Sequence, residues 1–166
     1  ANHSPAWIMN TDPVPIPKNL AIGTAPGINF QTLGFDVQNT RAQYHASHNG
    51  DQWFPIGTQN GILPYQSFAL HPAAQVFHYG QALFEGSKIE VNSKGELYLF
   101  RIEENARRMN QGAKRIMLPS FPVDLFVQSV IDTVNANLDY IPDANVNKGF
   151  LYIRPFLFGS SPQMGV

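Results

Sequence analysis

Residues 79–108, YGQALFEGSKIEVNSKGELYLFRIEENARR, predict three kinds of local structure in succession. An aromatic segment punctuated by glycines comes first. The segments LFEGSKIEVN and ELYLFR then flank SKG, where Gly95 provides the left-handed turn residue of a β-hairpin. From Glu103 onward the apolar residues Ala106, Met109 and Ala113 recur with helical spacing, and Pro119 follows the stripe. This stretch therefore predicts a hairpin followed by an amphipathic helix.

Further elements are predicted on both sides of this unit. Residues 49–67 carry two Asn-Gly turn signals and are predicted to form a loop. A second helix is predicted at Pro122–Leu138. Its inward face is predicted to carry Leu125, Phe126, Val130, Ile131 and Val134. The other predicted elements are strands at Ile28–Phe35, Arg41–Ser47 and 150–159 and a short helix between Pro72 and Gly80. The strand at 150–159 is too apolar to have a wet face. This order predicts an α+β domain with one mixed or antiparallel sheet and flanking helices.

Composition sets the broad class of the protein. Residues 1–27 are rich in proline and lack periodicity, so we expect an extended arm, with one domain over residues 28–166. A formal net charge of −1 argues against nucleic-acid binding. The strongest apolar run is about half the length needed to span a bilayer, and no signal-peptide pattern is visible. With no cysteine, these features predict a soluble, cytoplasmic protein.

Two adjacent arginines, Arg107 and Arg108, stand out near the start of the predicted helix. A cation there opposes the helix dipole, so a partner must justify it. A bound phosphate could be that partner, because the guanidinium group takes two oxygens at once. The alternative is that both arginines are solvated or paired with Glu103 and Glu104.

Tyr152 and Arg154 lie two residues apart on a predicted strand, so both side chains point to one face. An arginine in this apolar run needs a partner. The partner is either an acid of the same chain or the carboxylate of a ligand. Tyr79, Phe84 and Glu85 are explained by core packing on pattern alone. The histidines show no metal-ligand spacing, so no metal site is predicted.

Four motifs together resemble one enzyme family. FHYGQALFEGSK, LFRIEENARRM, RIMLPSFP and LYIRPFLFGSSPQMGV occur in the order found in the N-terminal half of branched-chain amino acid aminotransferases. These are fold-type IV enzymes that use pyridoxal 5′-phosphate (PLP). The resemblance runs from about Phe30 to Val166 and implies the small N-terminal domain of a two-domain enzyme.

The resemblance also implies roles for particular residues. Arg108, three positions after Asn105, corresponds to the arginine that binds the cofactor phosphate. The predicted substrate residues are Phe30, Tyr79, Phe84 and Tyr152 along the pocket, and Arg154 for the distal carboxylate of glutamate or 2-oxoglutarate. The implied substrates are leucine, isoleucine and valine with 2-oxoglutarate or glutamate, and the implied assembly is a homodimer.

The family carries its Schiff-base lysine in a second, C-terminal domain. None of the lysines here, including Lys88, has the catalytic context, so we expect that lysine beyond Val166. The residues present should then not catalyse transamination alone. The alternatives are a D-amino-acid aminotransferase, an aminodeoxychorismate lyase, or a non-catalytic binding module.

Overall fold

A computed structural model describes residues 7–146 and 149–164 of the chain. Asn147 and Lys148, the first six residues of the predicted arm and the terminal Gly165-Val166 pair lie outside the described residues. The described strands are β1 (Trp7–Ile8), β2 (Ala42–Tyr44), β3 (Ala46–His48), β4 (Trp53–Pro55), β5 (Ile62–Pro64), β6 (Ala69–Leu70), β7 (Ala82–Phe84), β8 (Ser87–Val91), β9 (Leu97–Leu99), β10 (Leu151–Ile153) and β11 (Phe156–Phe158). The helices are α1 (Gln75–Tyr79), α2 (Ile102–Arg115) and α3 (Val123–Ala136), and a 3-10 turn covers Leu138–Tyr140.

The predicted α+β class is confirmed. Every strand pair among the described residues is antiparallel. The strands do not form the one sheet that was expected. They are two to five residues long and divide into several small sheets. One sheet has the order β10-β8-β9, and the two-stranded ones are β1-β6, β11-β7, β2-β5 and β3-β4.

The core lies where α2 and α3 pack against the central strands. Ile89 of β8 is fully buried, and the predicted stripe of α2, Ala106, Met109 and Ala113, faces it. Burial of each large side chain contributes about 1.5–3 kcal/mol, so this stripe fixes the face that α2 turns inward. The opposite face of α2, with both arginines, is therefore left exposed.

The predicted inward face of α3 is right for Phe126, Val130 and Val134, which are buried. It is wrong for Ile131, which is 37% exposed. One residue advances the helix by about 100°, so Ile131 lies at the flank of the stripe that Val130 defines.

The predicted strand at Ile28–Phe35 is wrong, because residues 28–35 form turns and irregular backbone. The predicted loop at 49–67 is only partly right. It contains β4 and β5, which pair with β3 and β2. The strand predicted over Arg41–Ser47 is confirmed as β2 and β3, separated at His45.

The last apolar segment is split into β10 and β11 at Arg154-Pro155, and the expectation that it has no wet face is wrong. Arg154 is exposed and Phe156 is 53% exposed. β10 pairs with β8, and β11 pairs with β7. The two ladders have one continuous register, so the break at Arg154-Pro155 faces a matching break at Glu85-Gly86. These facing breaks carry the residues of greatest chemical interest.

Residues 7–27, the described part of the predicted arm, contact the rest of the chain. β1 pairs with β6, and Val14 is buried, with its backbone hydrogen-bonded to the side chain of Gln59. Farther along, the backbone amide of Ala25 donates to the carbonyl of Asp139. Across the described ranges, no helix combines the length and apolar character needed to cross a membrane.

Candidate functional site

Arg108 is held along one edge by a buried carboxylate. Its Nε donates to Oε1 of Glu85 at 2.7 Å, and its second terminal nitrogen donates to Oε2. The Glu85 side chain is only 8% exposed, whereas the Arg108 side chain is 65% exposed. The guanidinium group is therefore anchored on its protein side and open on the other.

Asn105, one turn before Arg108 on α2, completes this contact. Its Nδ2 donates to Oε2 of Glu85 at 3.0 Å and to the carbonyl of Gly86 at 3.1 Å. Arg107 behaves differently, since it pairs with Glu104 on the same helix at the exposed surface. The structure thus separates the two arginines that the sequence places side by side.

The Glu85–Arg108 pair is fully charged at neutral pH. The hydrogen bonds from Arg108 lower the pKa of Glu85, and they outweigh the burial that would raise it. The same contact with Glu85 raises the pKa of Arg108. Glu85 therefore presents two acceptor oxygens to the guanidinium group.

Arg154 lies against two aromatic rings at the facing break. Its guanidinium carbon is 4.5 Å from the ring centroid of Phe84 and 5.3 Å from that of Tyr152. A long hydrogen bond, 3.5 Å, joins Arg154 to the Tyr152 hydroxyl. In the described part of the chain Arg154 pairs with no carboxylate, so the predicted intramolecular acid partner is not found.

Gly86 connects this aromatic cluster with the Glu85–Arg108 pair. A β-carbon at residue 86 would overlap the Tyr152 hydroxyl and lie 2.9 Å from Cζ of that ring. Only glycine therefore leaves room for Tyr152 in its present position. The carbonyl of the same Gly86 accepts a hydrogen bond from Asn105.

A cleft of about 930 Å³ opens beside β10. Phe30, Tyr152 and Arg154 line it together, and the rings of Phe35 and Tyr152 pack in a T-shaped arrangement with centroids 5.3 Å apart. Phe84 is joined to this group by Arg154, whose guanidinium carbon lies over the Phe84 ring. Tyr79, at the end of α1, is 47% exposed and does not line the cleft.

The structure thus brings five of the six predicted site residues into two joined groups. Phe84, Tyr152 and Arg154 form one group by contact, and Phe30 lines the same cleft as Tyr152 and Arg154. Arg108 belongs to the other group, with Glu85-Gly86 between the two. Sequence analysis missed Glu85, which it assigned to core packing. The available signal was an acid beside two apolar strands in a chain with few acids, since such a group needs a cationic partner.

Among the described residues, no three His, Cys, Asp or Glu side chains cluster in a way that could hold a metal ion. The ammonium group of Lys88 lies 4.2 Å from the centroid of the Phe150 ring. Its cross-strand neighbour in the ladder is Tyr152.

No protein-family model matches the chain. The chain is 41% identical over 139 residues to branched-chain-amino-acid aminotransferase 2, chloroplastic, of Arabidopsis thaliana, a match that covers 84% of this chain and 34% of the relative. It is 36% identical over 151 residues to methionine aminotransferase BCAT4 of the same plant, covering 91% of this chain and 41% of the relative.

A solved structure of a branched-chain aminotransferase from Thermoproteus uzoniensis with norvaline matches at a TM-score of 0.52 and 27% identity. That match covers 65% of this chain and 34% of the solved chain. The present chain spans about a third of the length of the first of these curated relatives. Over most of its length, the chain is therefore homologous to a segment of the branched-chain amino acid aminotransferases.

Proposed function

We propose that the chain is part of a PLP-dependent aminotransferase that moves the amino group between branched-chain L-amino acids and 2-oxoglutarate. The observation that carries this proposal is the guanidinium group of Arg108. It is anchored on Glu85 along one edge and exposed along the other, at the position where the resemblance implies the phosphate-binding arginine. The similarity to aminotransferases over 139 residues supports it.

The residues present fit the cofactor phosphate. Arginine has five N–H groups, and Arg108 uses two of them on Glu85. The remaining groups belong to a side chain that is 65% exposed and has no other partner among the described residues. Arg108 would therefore donate to the phosphate oxygens. When bound, PLP supplies the electron sink that amino-group transfer requires.

The residues around Arg154 suit the two kinds of substrate side chain. The rings of Phe30 and Tyr152 line the cleft, and Phe84 lies beside them under Arg154; we assign these three rings to the side chain of leucine, isoleucine or valine. Arg154 lies over the rings of Phe84 and Tyr152 without a carboxylate partner among the described residues. It would bind the distal carboxylate of glutamate or 2-oxoglutarate. Tyr79 stays a predicted pocket residue, which the rest of the protein would have to complete.

A second candidate substrate is methionine. A relative named methionine aminotransferase matches 91% of the chain. An aromatic wall accepts a flexible thioether as readily as a branched alkyl chain, because both are apolar and of similar size. The substrate assay below therefore includes methionine.

The rest of the proposal concerns the whole protein. It places an arm at residues 1–27, a small domain at residues 28–166, and the Schiff-base lysine in a further domain beyond Val166. It includes a homodimer. The cytoplasm is the predicted compartment, although the Arabidopsis branched-chain relative is named chloroplastic.

The test uses the full-length protein with PLP. Leucine, isoleucine, valine and methionine are each supplied with 2-oxoglutarate, and the glutamate formed is measured. The PLP-loaded protein is then reduced with borohydride and mapped by peptides. We expect glutamate formation and one labelled lysine outside residues 1–166. No transfer from any of these amino acids, or stoichiometric labelling of Lys88, would contradict the proposal.

A further inference from the structure

The Glu85 side chain makes contacts that core packing does not explain. It is nearly buried, yet its two carboxylate oxygens accept hydrogen bonds from Arg108, and Oε2 accepts another from Asn105. A buried carboxylate that accepts three hydrogen bonds fixes the orientation of the groups that donate them.

We propose that Glu85 is the positioning residue that aims Arg108 at the cofactor phosphate. This inference rests on the proposed function. Arg108 lies on the exposed face of α2, and an unrestrained arginine there would sample many rotamers. With Nε and one terminal nitrogen held on Glu85, the plane of the guanidinium group is set. Its free N–H groups then face away from the protein in one direction.

Glu85 can serve as an anchor because its own position is fixed. Its backbone amide donates to the carbonyl of Pro155 at 2.9 Å, at the facing breaks between the two strand ladders. Asn105 joins the carboxylate of Glu85 to the carbonyl of Gly86, the next residue. The Glu85 backbone is thus held by Pro155, and its carboxylate is held by Asn105 and Arg108 of α2.

Charge alone predicts the opposite effect, which makes the inference testable. The carboxylate of Glu85 is negative and lies next to the proposed phosphate site. If Glu85 acted only through its charge, Glu85→Gln would strengthen phosphate binding. If Glu85 positions Arg108, the same change weakens binding. The glutamine amide nitrogen is a donor facing a donor, so only one of the two hydrogen bonds to Arg108 can persist.

The experiment measures the dissociation constants of PLP and of pyridoxal, which lacks the phosphate, on the full-length apoprotein. The variants are Glu85→Gln and the matched control Glu104→Gln, which breaks the exposed pair with Arg107 on the same helix. We expect Glu85→Gln to weaken PLP binding by about tenfold or more, on the scale of one charged hydrogen bond. Pyridoxal binding should stay within about twofold. Glu104→Gln should change neither constant.

Two results would overturn the role of Glu85. One is PLP binding that is unchanged or tighter in Glu85→Gln. The other is an equal loss for PLP and pyridoxal, which indicates general damage to the fold. A wild-type protein that binds both ligands equally would instead refute the proposed function, because no phosphate site would exist.

A second variant, Glu85→Asp, keeps the test valid if Glu85→Gln does not fold. Glu85→Asp keeps the charge but shortens the reach by one methylene, so we expect it to lose the preference for PLP as well. A preference equal to wild type in Glu85→Asp would overturn the proposal. In an Arg108→Lys background, substitution of Glu85 should not weaken PLP binding further, because the two-pronged guanidinium group that Glu85 orients is gone.

Discussion

Replacement of Gly86 by alanine tests the packing that joins the two halves of the site. The added methyl group would overlap the Tyr152 hydroxyl and lie 2.9 Å from Cζ, whereas carbon atoms pack at about 3.5–4.0 Å. The Tyr152 ring cannot move freely, because Phe35 packs against it in a T-shaped arrangement and Arg154 lies over it. Overpacking of this kind costs about 1–3 kcal/mol.

An opposing effect reduces this cost. Gly86 does not have a positive φ, so alanine can adopt its backbone conformation. Loss of glycine's freedom in the unfolded chain stabilises by about 0.4–1 kcal/mol. The two effects together leave a net loss between about 0 and 2.5 kcal/mol in the free energy of unfolding, measured by urea denaturation.

The Tyr152→Phe background provides the control for this prediction. Removal of the hydroxyl group leaves Cζ, 2.9 Å away, as the nearest atom of the ring, so Gly86→Ala should cost less there, with a coupling of about 0.5 kcal/mol or more. Equal costs in the two backgrounds would refute the reasoning, because Tyr152 would then not be what the methyl group meets.

Three other predictions follow from charged groups. Asp139→Ala should lower the free energy of unfolding by about 3–5 kcal/mol, since it leaves Arg41 unpaired in a nearly buried contact. The exposed control Glu104→Ala should stay within about 0.5 kcal/mol in the same denaturation assay. Hydrogen bonds from Arg108 and Arg41 lower the pKa of Glu85 and of Asp139, respectively, so the stability that these two pairs give is complete above about pH 4.5 and is lost as the pH falls. A urea unfolding midpoint that does not change between about pH 5 and pH 3 would contradict this. Arg154→Gln should raise the KM for glutamate about ten- to a hundredfold, through loss of a charged hydrogen bond, and that for leucine far less; equal increases in steady-state kinetics would make Arg154 structural.

Local patterns predicted the helices and the central hairpin. Apolar residues at helical spacing defined α2 and most of the inward face of α3, and Gly95 marked the turn between β8 and β9. These elements were predictable because burial of one face determines them. The segment 28–35 has β-prone residues but no strand, because its backbone pairs with no strand in the part of the chain that the structure describes. Conversely, β4 and β5 form inside a turn-rich stretch, where β3 and β2 provide the partners.

The site shows the same division between local and long-range information. The sequence distinguished Arg107 from Arg108 only through the resemblance, whereas the structure does so by contact. The partner of Arg108 is Glu85, 23 residues away, and no periodicity reports such a distance. The split of the last strand at Arg154-Pro155 was also not predicted, because an apolar run does not show where its partner strand changes.

The central claim is that Arg108 binds the cofactor phosphate, and a PLP titration of two apo variants at fixed salt tests it most directly. Arg108→Lys keeps the charge but loses the two-pronged geometry, so PLP affinity should fall about tenfold or more. Arg107→Lys keeps the charge at an exposed position and should change affinity little. Loss of the cofactor in Arg107→Lys, with full affinity retained in Arg108→Lys, would contradict the account.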